Sequence, residues 1–499
     1  MAGELLLGID IGTYASKGVL CRPDGTVVAQ AEREHGMDVP RPGWAEQDAD
    51  AVWWADFVHL ARTLGAQAPA GAIGGVGVSA IGPCLLPVDS QGRPLRPGIL
   101  YGIDTRASAE VAELTQAIGE DALLRLSGMG LSSQAVGPKL LWLAAHEPEV
   151  WARAHTFLSA SQYVVFRLTG ERVMDPHTAS HYNPLFDLDG LAWSARHADR
   201  VPVLDRLPRL LWPTEVAGRI GAWAAAETGL PEGTPVSAGT VDAAAEAVSV
   251  GVVAPGDMML MYGTTTFFIL VTPGPVRQRQ MWSTAYCLPG AYDLAAGMAT
   301  TGALTRWLRD RVFADGVDYA ALTREAEAVP PGSVGLVVLP YFSGERTPIQ
   351  DPDARGVIAG LTLAHGRGHL YRAILEGTAY GIRHNLEAIA ESGADVRRIV
   401  VVGGGTRSRL WLQIVSDVTG VAQELPAQTI GAAYGDAFLA GWAAGLVPGL
   451  AAQPAWVRPR ETIRPDPERA QRYAPYYRVY RELYPASVAQ MHRLAQLGR

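Results

Sequence analysis

Acidic, hydroxyl and basic side chains gather around a glycine turn near the start of the sequence. An apolar run ends in Asp10, and the turn over residues 12–17 contains Gly12, Thr13 and Lys17 before apolar residues resume. Glycine permits close backbone approach, hydroxyl and N–H groups donate hydrogen bonds, and lysine supplies positive charge. A carboxylate such as Asp10 suits a divalent cation. The pattern predicts a β-hairpin that holds a phosphate group.

The same pattern returns near the middle of the chain. There an apolar run leads into Gly263, Thr264 and Thr265, and apolar residues follow. A further small, hydroxylated turn reaches Gly302 and precedes an amphipathic helix predicted over residues 304–312. Recurrence of the hairpin about half a chain later predicts two similar domains that close on one nucleotide.

A strand over residues 398–402 is expected to open through three glycines, Gly404 and Gly405 among them, into a helix. Ser408 is the predicted N-cap of this helix, and Gly420 its C-terminal stop. Such a corner either permits a tight turn or offers bare backbone to a flat adenine ring.

Asp242 is a carboxylate among small apolar residues, close to the expected domain junction. It has a structural interpretation, as a helix N-cap, and a catalytic one. In the catalytic interpretation its carboxylate accepts a proton from a substrate hydroxyl, for which an ordinary aspartate pKa of about 4 suffices.

Three common signatures match this sequence poorly. The P-loop requires its lysine after the second glycine, whereas Lys17 precedes Gly18. Gly75 and Gly77 match a dinucleotide fingerprint, but they lie inside a predicted strand and not in a turn that opens a helix. Ser249 resembles a hydrolase nucleophile without the strand that should directly precede it.

Alternation of strand-like and helical patterns indicates an α/β fold. Strands are predicted over residues 73–79 and 335–340, and helices after Asp48 and over residues 368–390. Because 499 residues exceed what one hydrophobic core supports, more than one domain is expected.

Domain boundaries are predicted from composition. We expect an N-terminal domain over residues 1–250, a C-terminal domain over residues 251–450, and a final segment over residues 451–499. Within that segment, a linker rich in proline and arginine over residues 453–466 precedes a helix over residues 467–497 that packs on the body of the protein.

Composition excludes several classes of protein. The net charge of −8 and the absence of a basic stripe argue against a nucleic-acid partner. No apolar run approaches the roughly 20 residues of a membrane span. The three cysteines are far apart, which argues against a disulfide framework and a cysteine zinc site and fits a reducing cytoplasm.

The order of motifs resembles the FGGY family of carbohydrate kinases, in the actin-like, ribonuclease-H-like ATPase superfamily. The constrained positions of the family's C-terminal signature recur from Gly356 to Leu361 and, after a spacer, from His369 to Glu376. The loop over residues 339–348 is similar to that of pentulose kinases such as the xylulokinases. The resemblance implies two actin-like domains with the active site in the cleft between them.

The resemblance also implies a role for each matching residue. Asp10 would organise Mg²⁺, Asp242 would be the catalytic base and contact the substrate, and Gly82 and Pro83 would lie at the sugar. The remaining implied residues are, for ATP, Gly12, Thr13, Lys17, Thr264, Thr265, Gly302, Gly404, Gly405 and Ser408, and for the sugar pocket Asp104 and Arg106. Arg409 stands where the family often has proline or asparagine.

The implied activity is transfer of the γ-phosphoryl group of ATP to a hydroxyl of a small sugar or polyol, with a ketopentose such as xylulose as the first expectation. Xylulokinases typically carry Ser-Gly-Gln-Met-His-Gly at the strand end near the sugar, whereas this chain has Ser79-Ala80-Ile81-Gly82-Pro83-Cys84. Loss of the histidine and glutamine removes hydrogen-bonding groups, so glycerol, erythritol and gluconate stay open as substrates. An ATP-driven binding protein of the same superfamily is the alternative from another functional class. Separately, the resemblance to the family suggests a homodimer.

Overall fold

Strands and helices alternate along the chain in the computed structural model, which describes residues 3–313 and 316–498. The strands are β1 (Leu5–Ile11), β2 (Ala15–Cys21), β3 (Val27–Glu34), β4 (Glu46–Gln47), β5 (Ile73–Ala80), β6 (Leu86–Val88), β7 (Gly98–Ile99), β8 (Thr156–Leu158), β9 (Val173–Met174), β10 (Phe186–Asp187), β11 (Ala192–Trp193), β12 (Arg209–Leu210), β13 (Val216–Arg219), β14 (Pro235–Ser237), β15 (Thr240–Val241), β16 (Asp257–Tyr262), β17 (Thr266–Thr272), β18 (Trp282–Ala285), β19 (Tyr292–Met298), β20 (Val337–Leu339), β21 (Val357–Ala359), β22 (Arg398–Val402), β23 (Gln423–Pro426) and β24 (Pro459–Ile463). The α-helices are α1 (Ala55–Gly65), α2 (Ser108–Ile118), α3 (Glu120–Ser127), α4 (Val136–His146), α5 (Pro148–Arg153), α6 (Ala160–Thr169), α7 (Pro176–Ser180), α8 (Ala222–Thr228), α9 (Asp242–Ser249), α10 (Gly302–Trp307), α11 (Tyr319–Glu327), α12 (Arg367–Glu391), α13 (Arg409–Thr419), α14 (Ala432–Ala443), α15 (Gln453–Trp456) and α16 (Pro467–Leu497).

The described residues divide into two compact units. Of the described residues, unit 1 contains 3–255, 271–293 and 430–458, and unit 2 contains 256–270, 294–313, 316–429 and 459–498. The segment that holds α14 and α15 therefore belongs to unit 1, although it follows most of unit 2 in sequence. The domain boundaries expected from composition stay a prediction, since compact units and domains need not coincide along a chain.

Unit 1 is built on a mixed sheet with the order β13-β14-β5-β1-β2-β3, to which β15 adds by pairing with β5. β1 and β2 form the predicted antiparallel hairpin, and β1 runs parallel to β5. The sheet is covered by helices such as α1, whose Phe57, Leu60, Ala61 and Leu64 are buried at the spacing of one helix face. These side chains join the core that includes the apolar residues of β1 and β5.

Unit 2 repeats this plan with strands in the order β19-β17-β16-β22-β23-β24. β16 and β17 form the second predicted hairpin, and β16 runs parallel to β22. The hairpin β16–β17 and the parallel neighbour β22 thus correspond to β1–β2 and β5 of unit 1. The recurrence predicted from the two glycine turns is confirmed as a recurrence of sheet topology.

Helix α14 lies unusually close to the sheet of unit 1. A Cβ atom at Gly8 would lie 1.9 Å from the carbonyl oxygen of Ala433, and one at Gly77 would lie 2.1 Å from that of Asp436. Only glycine permits such an approach. The glycines that resemble a dinucleotide fingerprint therefore serve to pack a helix against a strand.

Local sequence signals set several helix ends as predicted. The Ser408 side chain accepts a hydrogen bond from the N–H of Trp411 at the start of α13, and Gly420 adopts a left-handed conformation at its end. Asp48 caps the helical turn Ala49–Trp54 that leads into α1. The C-terminal helix α16 has the predicted bounds, and Tyr473, Tyr477 and Tyr480 on it are buried.

The predicted linker over residues 453–466 is wrong. In unit 1, α15 buries Trp456, whose indole N–H donates to the carbonyl of Pro23 at 3.0 Å and whose ring packs on Tyr434. In unit 2, β24 pairs with β23 as an antiparallel edge strand. Proline and arginine suit the exposed side of such an edge, so composition alone did not separate this strand from a linker.

Among the described residues, no helix has the length and apolar character needed to cross a membrane.

Candidate active site

The strand register of unit 1 brings the ends of three strands to one edge of the sheet. Asp10 on β1 is the register partner of Ser79 on β5, and Ser79 in turn partners Thr240 on β15. Asp242 follows β15 directly as the first residue of α9. Because β1, β5 and β15 are parallel, their carboxyl ends place Asp10 and Asp242 on the same side.

Ser79 connects Asp10 to a second acid that the motifs did not reveal. Its Oγ lies 3.0 Å from Oδ1 of Asp10 and 2.7 Å from Oδ2 of Asp436 on α14. The Ser79 hydroxyl has only one proton, which lies between two carboxyl groups that can both accept it. Burial and the charge of Asp10 raise the pKa of Asp436 well above its ordinary value, although its hydrogen bonds with Ser79 act against this.

Asp242 is not the N-cap of α9, because Val241 occupies that position. Its Oδ1 accepts a hydrogen bond of 2.7 Å from the N–H of Ala243. Burial and the nearby Asp10 raise the pKa of Asp242 well above 3.8, although the Ala243 N–H lowers it. An ordinary aspartate pKa would suffice for the chemistry, and the pKa of Asp242 is raised above it because the carboxyl is removed from water beside a like charge.

Glu246 lies one helical turn beyond Asp242 on α9. Burial and Asp10 raise its pKa to about 7, while Lys17 acts in the opposite direction. Burial also raises the pKa of Asp10 to about 6, partly offset by the Ser79 hydrogen bond and Lys17. The site is thus a group of buried acids in which burial raises the pKa of each, and the charge of Asp10 raises the pKa of Asp242, Glu246 and Asp436 further.

The loop of the first hairpin is shorter than predicted, and side chains from elsewhere in unit 1 form hydrogen bonds with its backbone. β2 begins at Ala15, so Lys17 lies in the strand as the register partner of Asp10, with its side chain exposed. The ring of His35 contacts the Gly12 carbonyl at 3.0 Å, and Gln47 donates to the Thr13 carbonyl at 2.9 Å. These contacts hold the loop in one conformation.

Gly82 and Pro83, predicted at the sugar, follow β5 beside the end of β15. A Cβ atom at Gly82 would lie 3.0 Å from the side chain of Val241, the residue before Asp242. The N–H of Cys84 donates to Ser159 at 2.9 Å. The unusual strand end therefore adjoins the predicted base.

Asp104 and Arg106, also predicted for the sugar pocket, form an ion pair of 2.7 Å in which both side chains are fully buried. Arg106 also pairs with Glu46 at 2.7 Å, and its guanidinium group lies 4.0 Å from the centre of the Trp44 ring. Oδ2 of Asp104, which forms the 2.7 Å pair with Arg106, also accepts the N–H of Ala45 at 2.7 Å. The pair fastens these segments to each other, and its contact with substrate stays a prediction.

In unit 2 the second hairpin and the turn at Gly302 form one hydrogen-bonded assembly. The N–H of Gly302 donates to Gly263 at 3.1 Å, and those of Thr301 and Ala303 donate to Thr264 at 3.2 and 3.0 Å. A Cβ atom at Gly302 would lie 2.4 Å from the Gly263 carbonyl. Two turns that are far apart in sequence are therefore held as a single surface.

The glycine corner permits close packing at one glycine and leaves bare backbone at another. A Cβ atom at Gly405 would lie 2.8 Å from Tyr262 and 2.9 Å from Trp411, so this glycine permits packing. At Gly404 an added Cβ would meet no atom within 4 Å. Gly404 is exposed and offers bare backbone.

These elements line a cavity of about 990 Å³ within unit 2. Five of the predicted nucleotide residues border it: Thr264, Gly302, Gly404, Gly405 and Ser408. Gly263 of the same hairpin turn borders it as well. Thr265 lies in the same hairpin turn, where its carbonyl accepts the N–H of Gly263. Sequence patterns missed the aromatic and charged members of the lining, among them Tyr319, Tyr371, Arg324 and Glu327.

Sequence analysis missed three polar groups at the acidic site, namely Ser79, Glu246 and Asp436. The spacing of four residues between Asp242 and Glu246 could have indicated a shared helix face. Asp436 stands among small residues, which is the signal that singled out Asp242.

Among residues 3–313 and 316–498, no three or more histidine, cysteine or acidic side chains are arranged to hold a metal.

A fold with two repeated mixed sheets, one carrying an acidic site and one a large cleft bordered by glycine and hydroxyl groups, defines a phosphotransferase of the actin-like class. The models of the FGGY family of carbohydrate kinases match this chain, the N-terminal domain over residues 5–249 and the C-terminal domain over residues 258–444. The chain belongs to the FGGY family of carbohydrate kinases, and it is an ATP-dependent sugar kinase.

Individual relatives agree with this assignment. A xylulose kinase of Escherichia coli (strain K12) is 30% identical over 486 residues, which span 96% of this chain and 98% of that protein. A gluconokinase of Bacillus subtilis (strain 168) is 28% identical over 427 residues, spanning 83% and 82%. The crystal structure of xylulose kinase from Rhodospirillum rubrum superposes with a TM-score of 0.92 at 34% identity, covering 98% of this chain and all of that one. The predicted two-domain actin-like fold is confirmed.

Proposed function

We propose that the protein transfers the γ-phosphoryl group of ATP to a hydroxyl of a ketopentose, with xylulose as the first candidate. The observation that carries the proposal is the Asp242 carboxyl at the end of β15, beside the strand end that contains Gly82. The similarity to xylulose kinases over nearly the whole chain supports the choice of sugar.

In this proposal Asp242 orients the acceptor hydroxyl and takes its proton. A bond forms between the sugar oxygen and the γ-phosphorus, the bond from that phosphorus to the oxygen bridging it to the β-phosphate breaks, and ADP leaves with the electron pair. A pKa above that of an ordinary aspartate makes the carboxylate a stronger base near neutral pH, provided that it is ionised.

The cavity of unit 2 is the proposed site of ATP. The bare backbone at Gly404 suits the flat face of adenine, and Gly263, Thr264 and Gly302 suit the phosphates. Gly12, Thr13 and Lys17 of unit 1 are proposed to contact the phosphates as well, the exposed Lys17 with its charge. That both units act on one nucleotide stays a prediction.

Mg²⁺ is the proposed cation, and Asp10 is the residue that would hold it through water. Mg²⁺ is usually bound by one or two carboxylates together with water and substrate phosphates, so it does not require a larger set of protein ligands. The fit is supported by the negative charge of the buried Asp10, which raises the pKa of nearby Glu246 and which a cation would offset. When bound, Mg²⁺ supplies neutralisation of phosphate charge.

Asp104 and Arg106 are proposed to support the sugar pocket from behind. Tyr101 lies three residues before Asp104, and its hydroxyl meets Thr13 Oγ1 at 3.1 Å. A buried ion pair that fixes this segment would hold Tyr101 against the phosphate hairpin.

Substitution of the base tests the chemistry. Asp242→Asn should lower kcat by about 10²- to 10⁴-fold, because the amide cannot accept the proton, and should leave ADP binding nearly unchanged. Glu246→Gln is the matched control, since it removes a neighbouring acid of α9 but not the proposed base. Sugar-dependent ATP consumption at a near-normal rate in Asp242→Asn would refute the role.

A screen of ketopentoses, aldonates and polyols in a coupled ADP assay tests the substrate. Preference for gluconate would favour the second candidate, which the gluconokinase relative and the missing histidine and glutamine near the sugar support. ADP release that no sugar stimulates would favour an ATP-driven binding protein.

A cytoplasmic location fits three buried cysteines that form no disulfide bond. The family suggests a homodimer, which light scattering would test.

A further inference from the structure

A short loop segment of unit 2 runs alongside β19. The N–H of Gly297 donates to Thr347 Oγ1 at 2.8 Å, and the N–H of Thr347 donates back to the Gly297 carbonyl at 3.1 Å. Directly after the last residue of β19, the N–H of Ala299 donates to Oε1 of Glu345 at 2.7 Å. The loop therefore grips the end of the strand at two successive points.

Glu345 is the charged member of this contact. Glu345 is only 5% exposed. Its Oε1 also accepts the N–H of Arg346 at 2.8 Å. Oε2 is buried with no hydrogen-bond partner among the described residues. A buried carboxyl that accepts two backbone N–H groups on one oxygen is a strong local anchor.

Ionisation of this anchor is incomplete near neutral pH. Burial raises the pKa of Glu345 to about 7, although the N–H groups of Ala299 and Arg346 and the Arg346 charge act against it. An uncharged isostere that keeps the accepting oxygen should therefore serve almost as well as glutamate.

The anchored residue leads directly into the turn that lines the nucleotide cavity. Ala299 is followed by Thr300, Thr301 and Gly302, and the last two are hydrogen bonded to the hairpin turn at Gly263 and Thr264. Glu345 itself is not among the cavity-lining residues described above. It can act on a nucleotide only through the position of this turn.

We propose that Glu345 is a positioning residue that fixes the turn at Thr300–Gly302 for contact with the phosphates of the nucleotide. The proposal rests on the proposed placement of ATP in unit 2. It assigns a task to the loop over residues 339–348, which resembled pentulose kinases in sequence but had no chemical role.

The test compares binding of adenosine, ADP and ATP by calorimetry in the full-length protein. Glu345→Ala should weaken ATP and ADP binding by about 10- to 100-fold, the usual effect of leaving a backbone N–H without its acceptor, and leave adenosine binding unchanged. Glu345→Gln should restore affinity to within a few-fold, because its amide oxygen still accepts the Ala299 N–H. Glu345→Asp keeps the charge but is too short to reach Ala299, so it should reproduce the loss if the alanine variant does not fold.

Glu376→Gln is the control for general destabilisation. Glu376 is also a buried glutamate of unit 2 that accepts a backbone N–H, that of Gly332 at 3.0 Å, but it contacts Ser333 and Arg372 and not the phosphate turn. Glu376→Gln should lower the melting temperature. Any change in affinity should be the same for adenosine, ADP and ATP. Equal weakening of adenosine, ADP and ATP in Glu345→Asp, or no weakening, would overturn the proposal. Absence of ATP binding by the unsubstituted protein would instead refute the proposed nucleotide site.

Discussion

His177 offers a direct test of how buried charge supports the acidic site. Burial alone would lower the pKa of its imidazole, but the carboxylate of Asp293 at 3.3 Å, together with Asp175 and the Ala285 carbonyl, raises it from 6.5 to about 9. Asp175 also accepts the Thr240 hydroxyl at 2.8 Å, two residues before Asp242. His177 is therefore part of the support of the proposed base, and its raised pKa predicts a charged imidazole near neutral pH.

The raised pKa determines both the size and the pH range of the effect. A folded-state pKa of about 9 against 6.5 in the unfolded chain corresponds to about 3 kcal/mol of folding free energy. Because the pKa is raised, this contribution is fully present below pH 6.5 and is lost as the pH rises through about 9. His177→Gln should therefore lower the free energy of unfolding most in mild acid. In alkali this loss should be smaller by about 3 kcal/mol.

The measurement is equilibrium urea unfolding of the protein and of His177→Gln at about pH 6 and about pH 10, on either side of the expected transition. His181→Gln is the control in the same unit. Its ring centre is 5.8 Å from that of His177, but burial lowers the pKa of His181 to about 3, so it is neutral at both pH values. A deficit for His177→Gln that is equal at the two pH values would refute the assignment of a charged imidazole.

Two further substitutions test the cation and the packing of α14. Asp10→Ala should raise the Mg²⁺ concentration needed for half-maximal phosphoryl transfer, and an unchanged Mg²⁺ titration would contradict the proposed metal role. Gly77→Ala should destabilise the protein by about 3 kcal/mol or more, because the added Cβ meets the Asp436 carbonyl and backbone cannot give way. Gly65→Ala, where no atom lies within 4 Å, should leave the melting temperature unchanged or raise it.

The sequence predicted features that depend on neighbouring residues. The hairpin containing Asp10 was predictable because an apolar run, a glycine turn and a second apolar run are contiguous in the chain. The start of α13 at Ser408 was predictable because a cap acts on the next few backbone N–H groups. The edge strand β24 was not, because pairing with β23 and not composition makes it a strand.

The candidate site divides in the same way. Asp10 and Asp242 carried signals in their own neighbourhoods, whereas the contact of Ser79 with Asp436 spans 357 positions and depends on the close approach of α14. Likewise, the grip of Glu345 on Ala299 joins residues 46 positions apart. Neither contact corresponds to a sequence spacing that secondary structure repeats.

By itself the sequence determined the chemical groups, the local turns that present them and the membership of a kinase family. Only the tertiary structure decided which acids share one site, and hence that the pKa values of Asp242 and Asp436 are raised. The physical reason is that pKa values depend on burial and on the distance to other charges, and both are properties of the packed chain.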